Sequence, residues 1–128
     1  MQNAECRMSG TMKENASVEK SFAFAVRIVK LYKYLVREHR EFVMTKQLLR
    51  CGTSIGANVA EAQRGQSKAD FTAKMCIALK EANETEYWLK LLYKTEYLSQ
   101  SQYNSMNADI QELIGILVAI CRTAKENQ

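Results

Sequence analysis

Not one proline interrupts the 128 residues, and only five are glycine. Inside a helix, proline costs about 3 kcal/mol and glycine about 1 kcal/mol relative to alanine. A chain nearly free of both is suited to long, uninterrupted helices. Its apolar content of 47% and charged content of 25% are those of one globular domain rather than a disordered chain. No run approaches the 18 apolar residues a membrane span requires, so no membrane partner is expected. Met1 to Ala16 lacks the apolar stretch of a signal peptide and reads as a flexible tail over 1–16, ahead of a domain over 17–128. A cytoplasmic location follows as the expectation.

Hydrophobic periodicity then predicts four helices. The first runs from about Val18 to Glu38 with Ser17 as its cap; Phe24, Ile28, Leu31 and Leu35 share an arc of roughly 60°. Ala25, Val29, Tyr32 and Val36 widen its apolar face to about half the helix, more than one neighbour needs. The second starts near Thr45, carries Leu48, Ile55, Val59 and Ala62 as its seam, and ends at Gly65 as a C-cap glycine. The third opens at Ser67 with Asp70 three residues on. Phe71, Met75, Ala78, Ala82, Leu89 and Tyr93 line it, and it reaches toward Tyr97. The fourth opens with a Ser99/Gln102 capping box and buries Ile110, Leu113, Ile114, Leu117, Ile120 and Cys121. With short connections, the expected fold is an all-α, up-down-up-down four-helix bundle.

Two faces of the second helix stand out. Gly52, Gly56 and Ala60 recur every fourth position, a small stripe that admits close approach by another backbone. Arg50, Ser54, Asn58 and Glu61 form a polar face, while Glu81, Glu84 and Trp88 interrupt the third helix. The favoured reading is a partly buried structural network, in or beside a subunit interface, in which Arg50 answers a carboxylate of the third helix; a ligand or partner site is the alternative. For a fully buried pair, losing one partner costs about 3–5 kcal/mol.

Charge is unevenly spread. The net charge is +4, but Lys20 to Lys80 carries twelve basic and four acidic residues, and Glu81 to Gln128 four basic and seven acidic. Lys30, Lys33, Arg37 and Arg40 fall within about 80° of each other at helical spacing. Such a stripe suits a phosphate backbone, and it equally suits a solvated helix face. With no motif for base readout, nucleic-acid contact would be backbone-directed and salt-dependent.

Catalytic readings find no support. His39, the single histidine, is placed in a connection as a solvated side chain, so no Glu-x-x-His pairs exist for a carboxylate-bridged metal site. Ser54 lacks a histidine partner, and no phosphate-binding glycine loop is present. Cys6, Cys51, Cys76 and Cys121 are too widely spaced for a metal or redox motif. They are expected as small buried thiols in a reducing compartment. The chain is therefore read as a non-enzyme with no cofactor and no metal.

The segments Arg50 to Ala62 and Ala78 to Leu89, with Gly56-Ala57-Asn58, Ala60-Glu61, Glu84, Tyr87 and Trp88, closely resemble the 23S ribosomal-RNA intervening-sequence protein family. The resemblance runs from about Ser21 to Cys121. It implies small bacterial four-helix bundles assembled as ring-shaped homopentamers, some encoded inside insertions of ribosomal RNA genes. A related branch resembles the accessory proteins of diversity-generating retroelements, basic pentamers that contact nucleic acid and a reverse transcriptase. Two functions stay open: a nucleic-acid-binding oligomer using the basic face, and a scaffold whose ring binds a protein partner.

Overall fold

The structure is a computed structural model and describes residues 11–127. Four long helices account for most of these residues: α1 (Met12–Tyr34), α2 (Met44–Ala62), α3 (Lys68–Lys94) and α4 (Gln100–Glu126). A π turn, Leu35–His39, continues α1 before the chain turns. No strand occurs among the described residues, and none of their helices is long and apolar enough to cross a membrane. Each helix packs on the next, and α1 also meets α4, closing the arrangement around one core. Phe24, Ile28, Leu48, Ile55, Met75, Leu89, Ile110, Leu113 and Leu117 are all buried there. The predicted seams therefore hold, with Phe71, Tyr93 and Ile114 only partly covered at their edges.

The helix boundaries differ from expectation in physically legible ways. α1 begins at Met12, capped by Thr11, whose hydroxyl accepts the Glu14 N–H at 3.0 Å. Residues 12–16 are thus helical rather than a tail; the remainder of the expected tail, 1–10, lies outside the described residues, as does Cys6. Ser17 sits buried inside the helix, its hydroxyl donating to the Glu14 carbonyl at 2.6 Å. The signal was present, since Thr11-Met12-Lys13-Glu14 has the Ser/Thr-x-x-Glu spacing of a helix start.

The start of α2 is capped by Glu41 rather than Thr45. Its carboxylate accepts the N–H groups of Val43, Met44 and Thr45 at 3.1, 3.2 and 2.7 Å, and the Thr45 hydroxyl at 2.8 Å. Desolvation pushes the Glu41 pKa up, but those four hydrogen bonds outweigh it and hold the group below its ordinary value. α2 ends at Ala62, and Gly65 is not a left-handed cap, because none of the described glycines has a positive φ. Gly65 serves tightness instead: a Cβ there would lie 3.2 Å from both the Ala62 carbonyl oxygen and the Phe71 nitrogen.

α3 opens on Ser67, whose hydroxyl accepts the Asp70 N–H at 3.1 Å, and stops at Lys94, short of Tyr97. There Glu96 takes the left-handed conformation at φ 70°, and the Tyr97 N–H folds back to the Leu92 carbonyl at 2.9 Å. α4 carries the full Ser99/Gln102 capping box.

The cysteines correct the sequence reading most sharply. Cys76 on α3 and Cys121 on α4 form a disulfide across a sequence separation of 45. Closing a loop of that length removes unfolded-state entropy worth about 4 kcal/mol. Among the described cysteines only Cys51 keeps the expected form, a buried thiol that donates to the Leu48 carbonyl and whose pKa burial raises to about 11. At that value it is protonated and inert at neutral pH.

The small stripe on α2 faces α1 over two of its three positions. A Cβ on Gly52 would lie 2.8–3.0 Å from three carbons of the buried Ile28 side chain. A Cβ on Gly56 would lie 3.2 Å from the Ser21 carbonyl oxygen and 3.4 Å from its carbon, which are backbone and cannot rotate away. Ala60 is exposed and takes no part in this contact. Ala57, also exposed, is the internal control. Gly56→Leu should lower stability by about 1–3 kcal/mol or more through overpacking, and Ala57→Leu by less than about 0.5 kcal/mol. Urea unfolding of the two variants checks this, and equal midpoints would contradict the close approach.

Candidate functional site

Three groups of residues compete for the role of functional site. The first is the basic face. Lys30 and Lys33 are exposed on α1, but the face does not continue as one helical stripe. The π turn changes the angular spacing after Tyr34, placing Arg37 within it, and Arg40 follows in the left-handed conformation at φ 50°. Arg37 is itself paired with Glu38 at 2.8 Å. Lys30, Lys33 and Arg40 make no ion pair among the described residues.

Some other cations of α1 and α2 are paired. Lys20 of α1 reaches Glu112 of α4 at 3.0 Å, and Arg27 holds Asp109 at 2.5 Å while also donating to the Ser105 hydroxyl at 2.7 Å. Carboxylates of the acidic half thus neutralise the side of α1 that faces α4. Glu86 accepts instead from Gln111. Lys30, Lys33 and Arg40, toward the C-terminal end of α1, are among the cations left without an ion pair among the described residues, as are Lys13, Lys46 and Lys94 elsewhere.

The second group is the polar network, which is real but smaller and wetter than expected. Arg50 reaches Glu84 at 2.5 Å and Glu81 at 3.4 Å, and the Trp88 indole N–H donates to Glu84 at 3.4 Å. The Arg50 side chain remains 50% exposed, against 34% for Glu84 and 16% for Glu81. Three expected members belong elsewhere. Ser54 donates to the Arg50 carbonyl at 2.6 Å, Asn58 to the Ser54 carbonyl at 2.8 Å, and Glu61 pairs with Lys74 at 2.8 Å. Short polar side chains within a helix find the carbonyl one turn back before they reach a neighbour.

The third group was missed by the sequence reading. At the end of α1, His39 contacts the Tyr34 and Tyr97 rings edge-on, with centroids 5.6 and 5.7 Å apart. Beside them Tyr93 and Tyr103 stack in parallel at 4.5 Å. No motif announces the cluster, because its members come from α1, the π turn, α3, the α3–α4 connection and the start of α4. His39 is indeed exposed, but it belongs to an aromatic assembly rather than a bare connection.

None of these groups holds a metal-binding set: among the described residues no cluster of three or more His, Cys, Asp or Glu could take an ion. What the arrangement offers is charge and ring faces.

The exposure of Arg50 fixes the scale of its contribution. Hydrogen bonding to Glu84 raises the Arg50 pKa, and hydrogen bonding to Arg50 lowers that of Glu84. A depressed carboxylate adds stability above its unfolded pKa and loses it as pH falls through the lower folded value. The pair should therefore act fully at neutral pH and fade below about 4.5, the ordinary value for Glu84. Solvent screening limits it to about 1 kcal/mol rather than the several expected of a buried pair. Arg50→Met should lower stability by about 1 kcal/mol at pH 7 and by much less at pH 3. Urea titrations at the two pH values check this; an equal loss at both would remove the charge pairing as its cause.

Comparison with known proteins places this arrangement. The family model described as 23S rRNA-intervening sequence protein matches residues 13–119. Among solved structures, a crystal structure from Bacteroides thetaiotaomicron VPI-5482 is similar at 59% sequence identity and a TM-score of 0.85. The match covers 87% of this chain and 99% of that one. That protein is described as one of unknown function from the S23 ribosomal protein family. No curated protein matches the chain. With most of its length matched by the family model and four helices packed around one core, the chain belongs to the 23S rRNA-intervening sequence protein family.

Proposed function

We propose that this chain is a non-catalytic, self-associating protein that holds a nucleic-acid backbone on cations near the C-terminal end of α1. The observation that carries the reading is the set Lys30, Lys33 and Arg40, exposed and without an ion pair among the described residues, while Lys20 and Arg27 nearby are neutralised by α4. Arg37 adds to the set, its pairing with the exposed Glu38 being open to competition by phosphate.

Self-association has its own support. Phe22 is 71% exposed on α1, and Val18 and Val29 lie within about 40° of it at helical spacing. An apolar strip of this kind on an otherwise charged helix suits burial against another copy. We propose the up-down-up-down arrangement within a ring of copies, the pentamer that the family resemblance implies. The sense of the α1–α2 contacts, Ile28 with Gly52 and Ser21 with Gly56, supports antiparallel neighbours. Phe42 and Val43, exposed in the α1–α2 connection, are the specific feature favouring the second reading, a scaffold that docks a protein partner. We place the protein in the cytoplasm, as the family resemblance implies, with the Cys76–Cys121 bridge joining α3 to α4.

Purified protein should show an oligomer mass in light scattering. It should also bind structured RNA and duplex DNA at low salt, with affinity falling steeply as salt rises. Lys30→Ala with Lys33→Ala should weaken binding to both and flatten the salt slope by about one for each phosphate no longer held. A monomer mass would contradict the ring. Absence of low-salt binding, or binding indifferent to salt, would contradict the backbone contact and leave the protein-docking reading.

A further inference from the structure

The aromatic end of the molecule exists because of the π turn. In a regular α-helix, residues five apart point about 140° away from each other, so Tyr34 and His39 could not meet. The wider i→i+5 turn Leu35–His39 brings residues five apart closer in angle than a regular helix does. As a result the Tyr34 hydroxyl lies 3.5 Å from His39 Nε2, and the two rings meet edge-on at 72°. His39 then meets Tyr97 in the same manner at 81°. Tyr97 is brought there by the left-handed Glu96 at φ 70°, which turns the chain at the end of α3. Two departures from regular backbone converge on one ring assembly.

The manner of contact matters. Tyr93 and Tyr103 lie nearly parallel, 9° apart, so each covers a face of the other. The Tyr34–His39–Tyr97 series is edge-to-face, which leaves ring faces uncovered by a ring partner, and His39 at its centre is solvent-exposed. A bundle end closed only for stability has no need of that exposed ring. The rings line an open surface hollow of about 420 Å³. Glu96 and Gln102 share its lining. The Gln102 carbonyl is occupied by the Ser99 N–H at 2.8 Å, which leaves its amide N–H groups to donate. Glu96 can only accept when ionised. Together they offer an acceptor and a donor beside flat aromatic faces. Cations ring the same end: Lys30 stands one turn before Tyr34, Lys33 is adjacent to it, and the Lys94 ammonium lies 5.6 Å from the Tyr93 ring centre.

We propose that this hollow takes an unpaired base of a single-stranded polynucleotide. The base carries an exocyclic amine, stacks on the exposed His39 ring, and has its flanking phosphates on Lys30, Lys33 and Lys94. The proposal rests on the nucleic-acid reading above and adds what that reading lacks, a preference for single strands and for a base. Glu96 accepts the amine, Gln102 donates to the neighbouring ring acceptor, and the charge of Glu96 disfavours phosphate inside the hollow itself.

The test compares three labelled probes on the intact protein: a single-stranded oligo-deoxyadenylate, the same backbone without bases, and a duplex of equal length. The deoxyadenylate strand should bind roughly tenfold tighter than the abasic strand, the range for one stacked base. His39→Ala should abolish that difference, and His39→Phe, which keeps a ring, should restore it. Lys30→Ala with Lys33→Ala should weaken the intact and abasic strands alike. Equal binding of the two single strands, or a His39→Ala variant that keeps the difference, would overturn base stacking while backbone binding stands. Failure of all three probes to bind at low salt would overturn both readings together.

Discussion

The close approach of α1 and α2 is the contact on which the rest of the structure depends. Gly52 leaves no room between the helices for even one methyl group, because the buried Ile28 side chain already fills the space a Cβ would take. At Gly56 a Cβ would be a tight contact, 3.2 Å from the Ser21 carbonyl oxygen. Two glycines in the middle of a helix cost roughly 1 kcal/mol each in propensity, a loss offset by packing of the two helices at close range. Their position also fixes the rotation of α2. With Gly52 turned to α1, Arg50 stands on the far side of the helix, where α3 presents Glu81 and Glu84. The same rotation sends Cys51 and Ile55 into the core.

Charge is organised by that packing rather than by composition. The acidic second half meets the basic first half at two seams: Lys20 and Arg27 with α4, and Arg50 with α3. These pairs are exposed and individually weak, so they orient helices more than they hold them. Their consequence for function is subtraction. They neutralise Lys20, Arg27 and Arg50, whereas Lys30, Lys33 and Arg40, near the π turn where the aromatic rings gather, stay unpaired among the described residues.

Much of this was legible in the residues, and what was not has identifiable causes. The apolar seams, the Ser67 and Ser99 caps, the small stripe at Gly52 and Gly56, and the Arg50–Glu84 pairing all follow from periodicity and spacing. Ser17 was mistaken for a cap because it precedes a strongly periodic run, although Thr11 stands in the better pattern. The Glu41 cap has no standard spacing, since its carboxylate reaches forward over four residues. The Cys76–Cys121 bridge joins residues 45 apart, a proximity that exists only once α3 and α4 are packed. The π turn is the largest omission. Nothing in Leu35-Val36-Arg37-Glu38-His39 departs from an ordinary helical pattern, yet the turn ends the basic stripe and creates the ring assembly. The extent of the polar network was overestimated for a related reason: spacing places Ser54, Asn58 and Glu61 on a face without revealing which nearer partner each will take.

The most direct test of the central contact is a double-mutant cycle between Gly52 and Ile28, read by urea unfolding of the purified protein. Gly52→Ala alone should destabilise, because the added methyl would lie within 3.0 Å of the Ile28 side chain. In an Ile28→Ala background the same methyl enters the space just vacated, so it should cost less, with a coupling of about 1–3 kcal/mol. Additivity within about 0.5 kcal/mol would mean that Gly52 and Ile28 do not confront each other, and would contradict the close approach of α1 and α2.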